Sequence, residues 1–567
     1  MSTIDWIVLV ATLLLIVVYG VWKSRHTHHI KGYLLADKQL PWYHVGLSVM
    51  ATQASAITFL SAPGLAYSDG LRFVQFYFGL PLAMIVLCIT FIPIFQRLHV
   101  YTAYEYLEKR FDVKTRSLTA FLFLIQRGVS TGITIYAPSI VLSTILHIDI
   151  TYTTLFIGGL VILYTVYGGT KAVSYTQVLQ MCIIFSGLFV AAYMVVRLMP
   201  GDMGLVETLH VAGKMDRLNA IDTSFDLSNR YNIWSGLIGG FFLQLSYFGT
   251  DQSQVGRYLT GSSVNQSRLG LIMNGLVKIP MQFFILLIGA LVFAFYQFHT
   301  PPVFFNPVET ARIENSRYAN DYKQLETDFN LVYEQKQQHV TALTEAVRAD
   351  DQSAIDAART QLQQTEVQAD TVRNRVTRLM LKNNPDADTN DTNYIFLRFV
   401  TQYLPVGLVG LLIAIIFLAS MGSTASGLNS LASTTAVDVY KRLVNPEASD
   451  KTYLAASRWS TVGWGLFCVA VALYASKLGN LIEAVNILGS LFYGTILGIF
   501  IAAFYVKRVS ATAVFIAALL TEIVIVLLWW NDVTSFLWLN PIGCGLVVLF
   551  ALLIEPLLKK PVLRSVG

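Results

Sequence analysis

Two stretches of an otherwise apolar chain concentrate oxygen-bearing side chains. GLSVMATQASAITFLSAPGLAYSDG packs Thr52, Gln53, Ser55, Thr58 and Ser61 into ten residues, and LASMGSTASGLNSLASTTAVDVYKR carries Ser420, Ser423, Thr424, Ser426, Asn429, Ser430, Ser433, Thr434 and Thr435. Hard monovalent cations such as Na⁺ bind neutral oxygens, meaning unwound carbonyls and a few hydroxyls, without thiols or imidazoles. A third stretch, WSGLIGGFFLQLSYFGTDQSQVGRYLTG, adds Gln244, Tyr247, Asp251 and Gln252. Taken singly, each serine also reads as a small residue that lets two membrane helices approach.

One charge stands apart. Arg127, in FLFLIQRGVSTGITIYAPS, lies about ten residues into an apolar helix, where an unpaired arginine costs roughly 2.5–3.5 kcal/mol on insertion scales. It therefore needs a partner: a backbone carbonyl, an internal acid, the membrane interface, or a substrate carboxylate held through two parallel hydrogen bonds. Other candidates read more simply as structure. Cys88, Cys182, Cys468 and Cys544 lack CxxC spacing and sit in apolar runs, as small packed hydrophobes do. His26, His28 and His29 form a loop cluster that reads as a solvated basic surface more readily than as a metal site. Glu105 and Glu108 share a helix face, either as a carboxylate pair or as charges on a cytoplasmic loop helix.

The elements that position these residues follow from composition. Of 567 residues, 54% are hydrophobic and 13% charged, against roughly 25% charged in soluble chains. Apolar runs near 20 residues recur from end to end, which predicts an all-α polytopic membrane protein. The opening MSTIDWIVLVATLLLIVVYGVWKSR lacks a basic n-region and a small-residue cleavage site, so it is expected to be an uncleaved first span. Further spans are expected at 43–67, 73–98, 117–146, 152–168, 173–198, 234–258, 269–298, 405–439, 456–477, 481–506, 509–530 and 536–557, thirteen in all. The net charge of +5 carries no long basic block, so nucleic-acid binding is set aside.

Residues 301–393 hold 10 Lys/Arg and 15 Asp/Glu and interrupt the membrane body. Lys23, Arg25, Lys31 and Lys38 follow the first span, and Lys109, Arg110, Lys114 and Arg116 follow the third. By the positive-inside bias these loops are cytoplasmic. Alternation puts Arg257/Arg268, Lys441/Arg442/Lys451, Lys507/Arg508 and Lys559/Lys560/Arg564 on that side too, with the N-terminus outside, the C-terminus inside and the insert outside. Tyr318, Tyr322, Leu325, Phe329 and Val332, then Ile355, Ala358, Leu362, Val372, Val376 and Leu379, predict an antiparallel helical hairpin. Such arms would reach about 45–50 Å from the membrane, as a structural or self-association stalk or an arm docking a protein partner. Three regions result: 1–300 with the first span, the first repeat and the start of the second, the insert 301–393, and 394–567 with the rest.

With these residues in hand, the membrane body closely resembles the sodium:solute symporter family. YLLADKQLPWYHVGLSVMATQASAITFLSAPG looks like the family's loop and first core helix, GGTKAVSYTQVLQ like its GG-x-x-AV-x-WTD-x-x-Q segment, and DQSQVGRYLTG like its signature in the sixth core region. RLHVYTAYEYLEKRF and IYAPSIVL are most similar to the iodide, multivitamin and monocarboxylate branch. The resemblance implies alternating access through a LeuT-like 5+5 inverted-repeat core, with Na⁺ as the co-transported ion. It places the principal sodium site on Ala51, Ala54, Ala419, Gly422 and Ser423. Gly422 stands where relatives usually offer a hydroxyl, so Thr424 or Ser420 is an alternative ligand. Where the family reads WTD this chain reads Tyr175-Thr176-Gln177, which removes a carboxylate that helps bind a second sodium and implies one coupling ion.

The same resemblance marks Gln53, Ser55, Thr58 and Gln75 as substrate-facing, Tyr247 and Phe248 as the aromatic pair closing the cavity inward, and Asn486 as a polar cavity position. Bacterial sialic-acid members place an arginine for the substrate carboxylate in the helix that corresponds to that of Arg127, which makes Arg127 the candidate anion anchor. One Na⁺ with a monoanion moves no net charge, whereas one Na⁺ with a neutral sugar moves +1, worth about 2.3 kcal/mol per 100 mV. The expectation is Na⁺-coupled symport of a small organic anion, a sialic acid or monocarboxylate, in the cell membrane, the inner one in a bacterium. A neutral sugar or polyol is the alternative. A receptor using the outer hairpin is opposed by a tail of about ten residues after the last span. A channel is opposed by the lack of a filter motif, and no enzyme chemistry is expected.

Overall fold

Apolar runs become helices because a bilayer leaves backbone amides no partners except one another. The computed structural model describes residues 1–24, 38–98, 100–201 and 203–558, and among these the chain is all helix and loop, with a lone bridge between Leu40 and Gly261. The histidine cluster at 26–29, the cations Arg25 and Lys31, and the tail cations from Lys559 onward lie outside the described residues.

The first helices are α1 (Thr3–Ser24), α2 (Trp42–Gln53), α3 (Ala56–Asp69) and α4 (Leu80–Ile89), followed by α5 (Val113–Leu146) and α6 (Ile150–Arg197). After a short α7 (Leu205–Lys214) come α8 (Gly240–Thr250), α9 (Gln252–Tyr258) and α10 (Val264–Phe298). The insert supplies α11 (Ala319–Arg348) and α12 (Gln352–Asn383); the bundle resumes with α13 (Leu408–Thr434), α14 (Asp450–Tyr474), α15 (Leu481–Tyr505), α16 (Ala511–Trp530) and α17 (Leu539–Leu558).

Nine helical stretches among the described residues are long and apolar enough to cross a membrane, so the count of thirteen needs correction. Residues 56–97 form one apolar stretch, with the first part of the expected span 43–67 broken off as α2. The expected span 234–258 is interrupted at Asp251, and Ile150–Val166 is short. Helix α14 is a single 25-residue helix outside the nine. The expected spans 152–168 and 173–198 share the single helical element α6. Within it Tyr164 Oη lies 3.2 Å from Thr176 Oγ1, although twelve residues of straight helix would separate them by roughly 18 Å along the axis. The element therefore bends back between those two residues.

The hairpin forms as expected, but it does not stand away from the bundle. Gln337 Nε2 donates to Phe298 O at the end of α10 (3.1 Å), Arg359 pairs with Asp216 (2.8 Å), and Glu366 pairs with both Lys336 (2.6 Å) and Arg217 (3.5 Å). Tyr333 and Lys336 are buried, and Lys336 Nζ lies 5.9 Å from the Phe293 ring centre. The apolar stripe that predicted the hairpin buries partly between its own arms and partly against the bundle, so the arms lie along the end of the bundle. This corrects the projecting stalk.

Long-range contacts fix the polar helix α13. Asp5 Oδ1 of α1 accepts from Gly407 N (2.6 Å) and Gly410 N (3.2 Å), two of the N–H groups that a helix start leaves without internal partners. A Cβ at Gly410 would sit 2.2 Å from Asp5 O, so glycine is what admits α1 this closely. On the side carrying Lys441 and Arg442, Arg116 pairs with Glu108 (2.7 Å) and Asp438 (2.6 Å), and Arg442 with Glu108 (2.6 Å). Glu105 accepts from Tyr101 N and Thr102 N. The two carboxylates thus serve an ion-pair network and a helix start, rather than a shared acid–base site.

Candidate functional site

Two helix breaks meet at mid-bundle. Between α2 and α3 the chain leaves the helix at Ala54 (φ −80°, ψ 79°) and is extended at Ser55. Ser55 N turns back to Gln53 O (3.0 Å) instead of Ala51 O, and Thr58 N goes to Ser55 O (3.0 Å) instead of Ala54 O. The carbonyls of Ala51 and Ala54 thereby lose their regular helical donors, which is how an interrupted helix exposes oxygens for a cation. Between α8 and α9 the break falls at Asp251, whose side chain caps α9 through Ser253 N (2.8 Å).

A cavity of about 790 Å³, counting space open to solvent, lies between these breaks. Gln53, Ser55, Thr58, Arg127, Tyr247 and Asn486 line it, and so does Ser423 from α13. Six of the eight expected substrate residues and one sodium-site residue thus line one cavity. Gln75 does not: it is fully buried, with Nε2 donating to Tyr231 O (3.0 Å) and Oε1 accepting from Asp222 N (3.0 Å). Phe248 is buried behind Tyr247 with ring centres 4.9 Å apart and does not line this cavity. The geometry adds Ser130, Thr131, Thr134, Tyr77 and Tyr493, which sequence reasoning missed. A hydroxyl every three or four residues after Arg127 was the available signal.

Arg127 has an internal partner. Its Nη2 donates to Ser253 Oγ, its Nε lies 3.7 Å from Asp251 Oδ1, and its guanidinium carbon stands 5.7 Å from the Tyr247 ring centre. Asp251 also accepts from Ser253 Oγ (2.6 Å) and Tyr493 Oη (2.9 Å), while Gln254 Nε2 donates to Tyr247 Oη (2.7 Å). Arg127 Nε, although buried, makes no hydrogen bond. The guanidinium is charge-compensated by Asp251, which its Nε faces, while the side chain lines the cavity.

On the sodium side, α2 and α13 touch through Thr52 Oγ1 and Ser426 Oγ (3.2 Å). Ala51, Ala54, Ala419 and Gly422 are buried at this contact region, and Ser423 Oγ donates to Ala419 O (2.9 Å). Ser420 Oγ is directed instead at Thr134 O (3.4 Å), and Thr424 Oγ1 is buried without a partner. The glycine at 422 has a steric reason: a Cβ there would stand 2.6 Å from Gln180 Oε1. Gln177 takes Ser48 Oγ on its oxygen (2.6 Å) and donates from Nε2 to Gly422 O (3.3 Å), Ser426 Oγ (3.1 Å) and Thr52 Oγ1 (3.3 Å). Arg257 Nη2 reaches the same Ser426 Oγ (2.8 Å). All four cysteines are free, and no cluster of three or more His, Cys, Asp or Glu that could hold a metal occurs among the described residues.

The sequence pattern of the sodium:solute symporter family matches residues 33–322 and 380–521, leaving out α1, most of the hairpin and the C-terminal end. The chain belongs to the sodium:solute symporter family. It is 27% identical to the sodium/sialic acid symporter NanT of Aliivibrio fischeri, over 99% of this chain and 94% of that protein. To the sodium-dependent multivitamin transporter of Oryctolagus cuniculus it is 27% identical over 88% of its length, spanning 66% of that longer protein. A solved structure of a Na⁺-coupled sialic acid symporter, substrate-bound and outward-open, shares the fold with a TM-score of 0.75 at 23% identity, covering 99% of each chain. These relatives are transporters and not enzymes. This sodium:solute symporter is accordingly an integral membrane protein that carries a small organic solute by secondary active, Na⁺-coupled transport.

Proposed function

We propose that this symporter moves one Na⁺ together with one small organic anion, a sialic acid or a related carboxylate, by alternating access. The observation that carries this is Arg127, a buried guanidinium that lines the cavity together with Tyr247. A carboxylate entering between Gln53, Ser55 and Thr58 meets a charge-assisted donor whose planar geometry matches it. NanT and other sialic acid symporters among the relatives supply the substrate class.

The single-ion stoichiometry rests on Ser426. Gln177 and Arg257 both donate to its hydroxyl oxygen, so that oxygen is engaged by an amide and a guanidinium where a second cation would need it. The coupling Na⁺ is held by the carbonyls of Ala51, Ala54 and Ala419 with Ser423 Oγ, while the Gly422 carbonyl is engaged by Gln177. Around this site two sets of five helical segments arrange as a 5+5 inverted-repeat core, with the 42–69 and 235–258 segments as broken counterparts. The N-terminus is outside, the C-terminus cytoplasmic, and the insert braces the outer face between the regions 1–300 and 394–567.

One observation favours a neutral sugar or polyol instead: Asp251 already compensates the charge of Arg127. Na⁺-gradient-driven uptake into proteoliposomes separates the two. Labelled sialic acid accumulates, and a neutral hexose in tenfold excess leaves that uptake unchanged. Accumulation of the hexose without the acid would put the polyol reading in its place.

A further inference from the structure

The hairpin insert lines no part of the cavity, and the family's sequence pattern passes over residues 323–379, the greater part of both arms. Whatever the insert does is therefore added to the common transport cycle. Its contacts nevertheless converge on the cavity's own helix, at Tyr67 in the last turn of α3.

Arg217 Nε donates to Tyr67 O (2.9 Å), and the same guanidinium pairs with Glu366 of α12 (3.5 Å). Glu366 pairs in turn with Lys336 of α11 (2.6 Å), whose Nζ donates to Tyr333 Oη (3.4 Å). Tyr333 closes the circuit, because its side chain meets that of Tyr67. About one turn nearer the cavity, Thr392 at the foot of the insert lies so close to α3 that a Cβ on Gly64 would stand 1.9 Å from Thr392 O. Asp391 fixes that foot: its Oδ2 accepts from Phe305 N (2.8 Å) and pairs with Arg373 of α12 (2.7 Å).

The helix gripped in this way makes the site at its other end. Ser55 and Thr58 line the cavity, and Tyr67 stands nine residues beyond Thr58, about 14 Å along the axis. Every residue of α3 from Ala56 to Tyr67 is buried, so above the cavity this helix shows no face to an outer vestibule. Ser61 marks that closure: it is fully buried, and its hydroxyl has no hydrogen-bond partner among the described residues. For the cavity to open outward, the outer half of α3 must part from what covers it. The circuit is built to allow this, since the Arg217 and Glu366 side chains are 21% and 27% exposed, and ion pairs open to water are weak enough to part and re-form.

We propose that the insert is a strap on the outer half of α3: the circuit Arg217–Glu366–Lys336–Tyr333 holds Tyr67 in the outward-closed arrangement and parts when the cavity opens outward. It rests on the alternating-access reading above and on the outer placement of the insert. The strap sets how readily the cavity opens and gives no atom to the site of either cargo.

Two measurements test it. In a full-length chain with Cys88, Cys182, Cys468 and Cys544 replaced by serine, Ser61→Cys is exposed from the outer face to a membrane-impermeant trimethylammonioethyl methanethiosulfonate. Adding Glu366→Gln or Arg217→Gln raises the reaction rate at least fivefold, and the two together exceed either alone by less than twofold because they cut one circuit. Lys477→Gln, which breaks the pair to Asp386 (2.9 Å) outside the circuit, leaves the rate within twofold. An unchanged rate in the circuit variants, or an equal rise with Lys477→Gln, would overturn the strap. This readout uses no transported substrate, so it holds whether the cargo is an acid or a hexose. In proteoliposomes, Arg217→Cys/Glu366→Cys bridged by a bifunctional methanethiosulfonate loses at least tenfold in Na⁺-driven uptake, and dithiothreitol restores it. Full uptake through the bridged protein would also overturn the strap.

Discussion

The two helix breaks at the centre of this symporter are built from opposite materials. At Ala54–Ser55 the chain exposes neutral carbonyls, and the nearest side chains, Thr52, Gln53, Ser55 and Ser423, bear no charge. At Asp251 the break carries a carboxylate that is buried with Arg127, Tyr493 and Ser253. A neutral oxygen cage suits a monovalent ion that must both bind and leave. A compensated ion pair keeps a guanidinium beside the cavity without the full cost of an isolated buried charge. The difference teaches how one cavity offers two kinds of site: they share a cavity but not a chemistry.

The comparison breaks most sharply at Arg127. Arg127→Ala raises the half-saturating sialic acid concentration about 100-fold, since truncating one partner of a buried charge-assisted pair costs 2–5 kcal/mol. It also leaves Asp251 unpaired, so the double variant Arg127→Ala/Asp251→Asn is measured beside it. The double variant recovers thermal stability but not affinity. Recovery of affinity would make the arginine a structural charge.

On the neutral side the expected change is smaller. Ser423→Ala removes one hydroxyl oxygen from a shell made mostly of carbonyls, and the Na⁺ concentration for half-maximal uptake rises about tenfold, equivalent to about 1.4 kcal/mol. Sialic acid affinity at saturating Na⁺ is unchanged. A loss of sialic acid affinity at saturating Na⁺ would show that the two breaks do not divide their cargoes.

The smallest effect is at Gly422. Gly422→Ser adds a hydroxyl next to Ser423, but its Cβ meets Gln180 Oε1 at 2.6 Å. The amide is the far end of a flexible side chain and can turn, so Na⁺ half-saturation shifts less than threefold. Uptake that becomes steeply cooperative in Na⁺ would mean that a second ion site has been restored despite Gln177 and Arg257.

Much of this was legible in sequence because membrane helices and their interruptions leave local marks. Hydroxyls clustered at 52–61 and 420–435 located the first break and its partner helix, and the heptad stripe at 318–379 gave the hairpin. Pairings between distant residues were not legible. Asp251 was visible as a polar interruption, but its pairing with Arg127 joins residues 124 positions apart, and neither periodicity nor spacing encodes it. Two lone charges in apolar runs were the signal, since such charges pair with one another inside membranes. Gln75 misled for the same reason: its amide is spent on Tyr231 O, 156 residues away. The lie of the hairpin depended on where Glu366 finds Lys336 and Arg217, which the stripe leaves open.

The most direct test of one Na⁺ carried with one anion is the voltage dependence of uptake. Proteoliposomes with an inward Na⁺ gradient are loaded with labelled sialic acid outside, and an inside-negative potential of about 100 mV is imposed or omitted. Charge neutrality predicts the same initial rate and the same steady-state accumulation in both. One net positive charge per cycle would instead add about 2.3 kcal/mol of driving force, close to 50-fold more accumulation. A rise of that order would contradict the single-sodium, monoanion cycle.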